Sequence, residues 1–263
     1  MQKERNIRIY QAAYQYLTRI KPEGVRLEEY FYGDNRDYQS LKEVFIRFIM
    51  SAQNYQRMPN VIAFDKRETE IAEILWDYDI QKVSVMSADN LYRCFRNRFH
   101  VTTPDSKRNS WYKWSCSVID SARFVSGFKD AADFDEFVKR FDYNASSRMA
   151  LPLLIQSRIR GIGFALACDL LKELGYTNYP KPDVHMIDVF HALGLCENDP
   201  ISAFEAIERM ADDCRSFDQN ITPYRVDKVF WLICSGYYYN EKPPVRIKGQ
   251  KKELIDYLKQ MNL

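Results

Sequence analysis

Residues 147–191, SRMALPLLIQSRIRGIGFALACDLLKELGYTNYPKPDVHMIDVFH, decide how the rest of the chain is read. The stretch opens as an apolar helix running to about Gln156, then turns tightly through Arg158-Ile159-Arg160-Gly161-Ile162-Gly163. A second helix is expected from Phe164 to about Leu174, then a Pro-rich loop and a third helix starting at Asp183. Gly161 and Gly163 suit a place where the backbone turns sharply and something approaches it closely. The helix after them presents free N–H groups and the positive end of its dipole, which favours an anion such as a phosphate. A Gly-x-Gly before a helix is weak evidence alone. Order and spacing strengthen it, because Pro182-Asp183-Val184-His185 opens another helix shortly after.

Working outward, helical periodicity dominates. Ile7, Tyr10, Ala13, Tyr14 and Leu17 form an apolar stripe over residues 3–20, and Lys21-Pro22-Glu23-Gly24 ends it. Residues 25–37, with Gly33, Asp34 and Asn35, read as an irregular connector. Leu41, Val44, Phe45, Phe48 and Ile49 begin another helix, which closes in Ile49-Met-Ser-Ala-Gln-Asn54. Further helices are expected at 68–77, 88–99, 132–141, 200–214, 223–234 and 250–261. Between 91 and 123, Arg93, Arg96, Arg98, Lys107, Arg108, Lys113 and Arg123 are interleaved with Tyr92, Phe95, Phe99, Trp111, Tyr112 and Trp114. Such a mixture suits a surface that neutralises phosphates and stacks on bases. It equally suits a solvated basic face over an aromatic core. No β alternation and no internal repeat is visible, so the fold is expected to be all-α.

At 263 residues the chain can bury a substantial core, as one large domain or two lobes. Its apolar and aromatic content argues against global disorder. A formal charge of +2 does not announce a nucleic-acid binder, so any such attraction must come from local patches. Cys94, Cys116, Cys168, Cys196, Cys214 and Cys234 are scattered without Cys-x-x-Cys pairs, which argues against a zinc site and for reduced thiols. The charged start shows no signal peptide and no apolar run approaches ~20 residues, so a cytoplasmic or nuclear protein without a membrane span is expected. In a bacterium it would be nucleoid-associated.

The order helix, Arg-Gly-Ile-Gly, helix, then Pro-Asp-Val-His opening a third helix resembles the helix-hairpin-helix (HhH-GPD) DNA glycosylase superfamily, which includes endonuclease III and 8-oxoguanine glycosylase. The resemblance is strong over about 155–190, fair over 44–54 and architectural elsewhere. It implies two helical lobes flanking a DNA cleft, with the hairpin at the junction. Mapped here, residues 1–37 and 164–263 would form a discontinuous lobe, and 38–163 a helical barrel ending in the hairpin. The scattered cysteines depart from relatives that carry a four-cysteine iron–sulfur cluster, so no such cluster is expected.

The resemblance also assigns roles. Asp183 matches the catalytic Asp. It would stabilise the cationic sugar as the base–sugar bond breaks and orient the attacking water. Its place at a helix head is expected to keep it ionised. Read alone, Asp183 is simply a good N-cap. Arg160, Gly161, Ile162 and Gly163 would hold a DNA phosphate, and His185 would orient the turn or a phosphate. Backbone carbonyls of Ser157, Ile159 and Ile162 match positions that hold K⁺ or Na⁺ in the family; no catalytic metal or other cofactor is required. Gln53 matches a residue that fills the gap left by the flipped nucleotide. By itself it is an ordinary polar residue at a helix end. Asp169, one helical turn past Ala165, would face the base pocket, or else pair with Lys172 on the surface. Bifunctional members carry a lysine where this chain has Ala165. The implied activity is therefore monofunctional: a monomeric enzyme that flips a damaged or modified base from duplex DNA and leaves an abasic site. Two alternatives are a non-catalytic DNA-binding protein and a glycosylase whose lyase step uses another lysine, with Lys181 the nearest in sequence.

Overall fold

The computed structural model describes residues 2–31, 36, 38–55 and 58–261. The connector residues Gly33, Asp34 and Asn35 lie outside the described residues. The fold is all-α. Its helices are α1 (Gln2–Ile20), α2 (Leu41–Gln53), α3 (Met58–Ile62), α4 (Phe64–Ile74), α5 (Ile80–Ser84), α6 (Ala88–Arg98) and α7 (Ser110–Val125). They continue with α8 (Ala131–Phe141), α9 (Ala145–Arg158), α10 (Phe164–Glu173), α11 (Val184–Ala192), α12 (Pro200–Cys214), α13 (Pro223–Ser235) and α14 (Lys251–Gln260).

Most helices begin where a side chain closes the first turn. Ser40, Ser87, Asp130 and Thr222 each accept a backbone N–H of the helix that follows. Asn144 and Ser147 form a reciprocal capping box at the start of α9. Such caps satisfy N–H groups that have no partner inside the helix. The helix expected at 68–77 instead runs from Phe64 to Ile74. It stops early because Trp76, Asp77 and Tyr78 all adopt positive φ, a conformation that cannot continue a right-handed helix.

The chain divides into two compact units, residues 36–174 and residues 1–35 with 175–263. The expected boundary at 163/164 shifts to 174/175, because α10 packs on α9 and α2 and stays with the first of these units. In that unit α7 is the central helix, packed by α2, α3, α5 and α6. Trp111, Trp114, Ser115, Ser117, Val118 and Ala122 on α7 are all buried. Trp114 also donates its indole N–H to the Ile49 carbonyl, at 2.9 Å. Sequence reading did not foresee α7 as a helix. Its basic and aromatic residues read instead as part of one patch of residues 91–123.

In the other unit α1 packs on α12, α13 and α14, and α11 packs on the same three C-terminal helices. Their shared core includes Ile9, Ala13, Leu17, Phe190, Ile207, Val229, Phe230, Leu254 and Leu258. One small departure from all-helix is present: β1 (Tyr237–Tyr238) and β2 (Val245–Arg246) pair antiparallel, Tyr237 with Arg246 and Tyr238 with Val245. Gly236, at φ +62°, turns the chain out of α13 and makes that pairing accessible. Two residues per strand are too few for alternation to be visible in sequence.

Candidate functional site

The turn between α9 and α10 is built on one left-handed glycine. Gly161 has φ +85°, and a Cβ placed there would lie 2.7 Å from the Ser117 Oγ. Any side chain would therefore meet both backbone strain and α7. Ile162 donates its N–H to the Ile159 carbonyl at 3.2 Å, closing the turn, and both side chains are buried. Ser117 Oγ donates to the Arg160 carbonyl at 2.6 Å. Asp120 accepts three hydrogen bonds from Arg160: the backbone N–H at 3.1 Å, Nε at 2.6 Å and a terminal guanidinium nitrogen at 2.9 Å. The turn is thus latched to α7 through the backbone and side chain of one residue. A planar guanidinium held by both carboxylate oxygens is the strongest form of such a contact.

Gly163 serves a different purpose. Its φ is −85°, and a Cβ there would meet nothing within 4 Å. It is the N-cap of α10 and supplies no side-chain acceptor. The start of α10 is therefore left without the side-chain closure found at α2, α6, α8, α9, α11, α12 and α13. Open space, bare backbone and a positive dipole end coincide there. Ala165 follows in the first turn, half-buried.

Asp183 lies in the other unit, as the N-cap of α11. Its Oδ1 accepts the His185 N–H at 2.8 Å and the Met186 N–H at 3.2 Å. Oδ2 has no hydrogen-bond partner among the described residues. Burial first, and the neighbouring Asp227 carboxylate second, push the Asp183 pKa above the ordinary value for an Asp. The Lys181 charge, the Met186 N–H and His185 pull the other way without cancelling that rise. The net shift is upward, opposite to the pull of the helix-head position. The cap does favour the charged form, but desolvation and a like charge outweigh it. His185 sits in the first turn of α11, with a buried Nδ1 that lacks a hydrogen-bond partner.

Other residues singled out in the sequence fall differently. Gln53 is buried, and its Oε1 accepts the Phe64 N–H at 3.1 Å, which caps α4. Asp169 pairs with Lys172 at 3.1 Å, but both side chains are buried rather than on the surface. Ile159 uses its carbonyl in the turn, while the Ser157 hydroxyl donates to the Leu154 carbonyl at 2.7 Å. In the segment 91–123, Tyr92, Phe95, Trp111 and Trp114 are core residues, so they cannot stack on a ligand's rings. Phe99 stacks on Trp111 with ring centres 4.8 Å apart. Arg98 pairs with Glu73, and Arg123 donates to the carbonyls of Ser84 and Met86. Arg93, Lys107 and Arg108 are exposed and have no ion-pair partner among the described residues.

Three residues that sequence reading passed over organise these places: Ser117 and Asp120 at the turn, and Asp227 beside Asp183. Each acts across 40 or more residues of chain, and no local pattern announces such contacts. No protein-family model, no curated protein and no solved structure matches the chain.

Proposed function

We propose that this chain is a monofunctional DNA glycosylase of the helix-hairpin-helix kind, hydrolysing the bond between a damaged or modified base and its deoxyribose. The observation that carries this reading is the Asp183 carboxylate. One oxygen is fixed by two backbone N–H groups, the other is uncommitted, and its proton affinity is raised by burial and by Asp227. A fixed carboxylate stabilises a sugar that develops positive charge as its base departs. A raised proton affinity makes the same carboxylate a better base toward the attacking water. The substrate sugar supplies the cation, so no bound cofactor is needed for that step.

The turn at Gly161–Gly163 supports the DNA part of the reading. Its backbone faces outward at an uncapped helix start, which suits a phosphate approaching main-chain N–H groups. With Arg160 neutralised by Asp120, that contact belongs to the backbone, and charge attraction falls to side chains such as Arg93, Lys107, Arg108 and Lys113. A K⁺ or Na⁺ on the carbonyls of Ser157, Ile159 and Ile162, a DNA cleft and a monomeric state are part of the same proposal. Gln53 would have to release the Phe64 N–H before it could enter a duplex. Asp169 would reach a base only by sharing its carboxylate with Lys172.

Ala165 offers no amine, so water is the nucleophile. The test is incubation with duplex oligonucleotides carrying damaged purines, alkylated bases, deaminated pyrimidines or hypermodified cytosines, followed by alkali and, in parallel, by borohydride. The expected result is alkali-dependent cleavage at one class of lesion with no covalent protein–DNA adduct. Ala165→Lys should gain borohydride trapping, because an enclosed amine loses its proton more readily and can attack the sugar. Trapping by the unaltered chain would instead identify another lysine, Lys181 first, as the nucleophile. Binding without excision on every lesion would favour a DNA-binding protein without turnover.

A further inference from the structure

Within the unit formed by residues 36–174, α7, α8 and α9 enclose a pocket of about 460 Å³. Phe124, Phe128 and Phe137 form its floor together with Leu154. The three rings meet tilted or edge to face, with centres 5.6, 6.2 and 5.0 Å apart. Beneath them Phe124 rests on Phe48 at 5.6 Å and Phe128 on Phe134 at 5.2 Å, and both supports are core residues. The floor is thus fixed by the core, yet Phe124, Phe128, Phe137 and Leu154 are each only half-buried. Apolar side chains left partly in water on a rigid base gain free energy when an apolar group covers them.

The rim is charged, and its balance is positive. Asp120 is the acid that lines the pocket among the described residues, and Arg160 already occupies both of its oxygens. Arg123 donates to the Ser84 carbonyl at 3.0 Å and to the Met86 carbonyl at 3.3 Å. Those acceptors are neutral, so its charge is not cancelled, and a guanidinium has five N–H donors to share. Arg158, the last residue of α9, is exposed and has no hydrogen bond or ion pair from its side chain among the described residues. Two uncancelled guanidinium groups beside an apolar floor complement carboxylates carried on an apolar body. Val85, between the two carbonyls that hold Arg123, is 82% exposed. A second exposed apolar residue therefore stands at the Arg123 end of the pocket, which favours an extended chain over a compact small molecule.

We propose that this pocket docks a peptide segment of a partner protein in which a large apolar side chain, Leu or Phe, is flanked by Asp or Glu. The apolar side chain covers Phe124, Phe128 and Phe137, and the flanking carboxylates pair with Arg123 and Arg158. Neither Asp183 nor a DNA substrate enters this argument, so it stands apart from the glycosylase reading. The two meet at one residue, because Asp120 both lines the pocket and holds Arg160 of the turn between α9 and α10. A partner docked here is carried beside that turn.

The probe is a fluorescein-labelled hexapeptide, Asp-Glu-Leu-Phe-Asp-Glu, titrated with the full chain and read by fluorescence polarisation. Methyl spectra of the chain, with the Leu154 signals assigned, locate the site. Saturable binding with a Kd below about 1 mM is expected, weakening as salt is added and moving the Leu154 methyl signals. Arg158→Glu changes an exposed side chain with no described partner to lose, so it should fold as the parent does and bind about tenfold more weakly or worse. A probe with Ala-Ala in place of Leu-Phe should lose binding. The proposal is overturned by no saturable binding up to about 1 mM, or by binding that leaves the Leu154 methyls unmoved. Equal affinity of the Arg158→Glu chain, or of the Ala-Ala probe, overturns it as well. A random-sequence duplex that displaces the peptide and moves the same Leu154 signals makes the pocket part of a nucleic-acid face and overturns the peptide as its occupant.

Discussion

At Asp183, two demands on one side chain conflict, and the conflict is measurable. As an N-cap it stabilises α11, and Asn would serve that purpose about as well. As a half-buried carboxylate next to Asp227 it resists ionisation, so its folded-state pKa lies above its unfolded value. The native chain therefore binds more protons here than the unfolded chain does. Stability falls as pH rises from the ordinary Asp range through that raised value. Asp183→Asn removes the penalty: near neutral pH the variant should be the more stable protein, and the two should converge as pH falls below about 4. Denaturant midpoints at acidic and neutral pH check this, and a parent more stable than the variant at neutral pH would contradict it. Its position as an N-cap was legible in the sequence, because Pro-Asp-Val-His at a helix head is a local pattern. Its electrostatics were not, since Asp227 lies 44 positions away and its approach depends on how α13 packs.

The element that separates folding from binding is the turn between α9 and α10. Its two glycines look interchangeable in sequence but occupy different conformations. Gly161→Ala places a Cβ at positive φ against Ser117, and should cost roughly 1–2 kcal/mol or more. Gly163→Ala meets no neighbour at an ordinary φ, so its stability should stay within about 1 kcal/mol of the parent. The proposal assigns that open space to a phosphate, so Gly163→Ala should still bind DNA several-fold more weakly, and on all sequences alike. Thermal unfolding and a filter-binding titration of both variants separate the effects. A Gly163→Ala protein with unchanged DNA affinity would remove the phosphate from this turn. Helices with a clear apolar face, such as α1, α8 and α12, were legible from periodicity alone. The central helix α7 was not, because its aromatic and basic residues drew the reading toward a surface patch spanning 91–123. Trp111 and Trp114, which suited a stacking surface and an aromatic core equally in the sequence, are core residues.

Over the whole molecule, a charge of +2 means that the proposed affinity for DNA would rest on a few exposed basic side chains and on backbone N–H groups. With about 4–6 phosphates neutralised, log K should fall against log salt with a slope of about −4 to −5. A flat dependence would remove DNA as the partner. The all-α class was legible from composition and period. The division into two units was legible in outline, but its second boundary falls after α10 rather than before it. That placement depends on packing against α9 and α2, which no local signal carries. The central claim, that Asp183 breaks a base–sugar bond in DNA, is tested most directly by single-turnover excision on the lesion the parent chain cleaves, parent against Asp183→Asn. The account predicts a variant that binds the oligonucleotide as the parent does and excises ~100- to 10,000-fold more slowly. Excision by Asp183→Asn at the parent rate would contradict it and leave Asp183 as a helix cap.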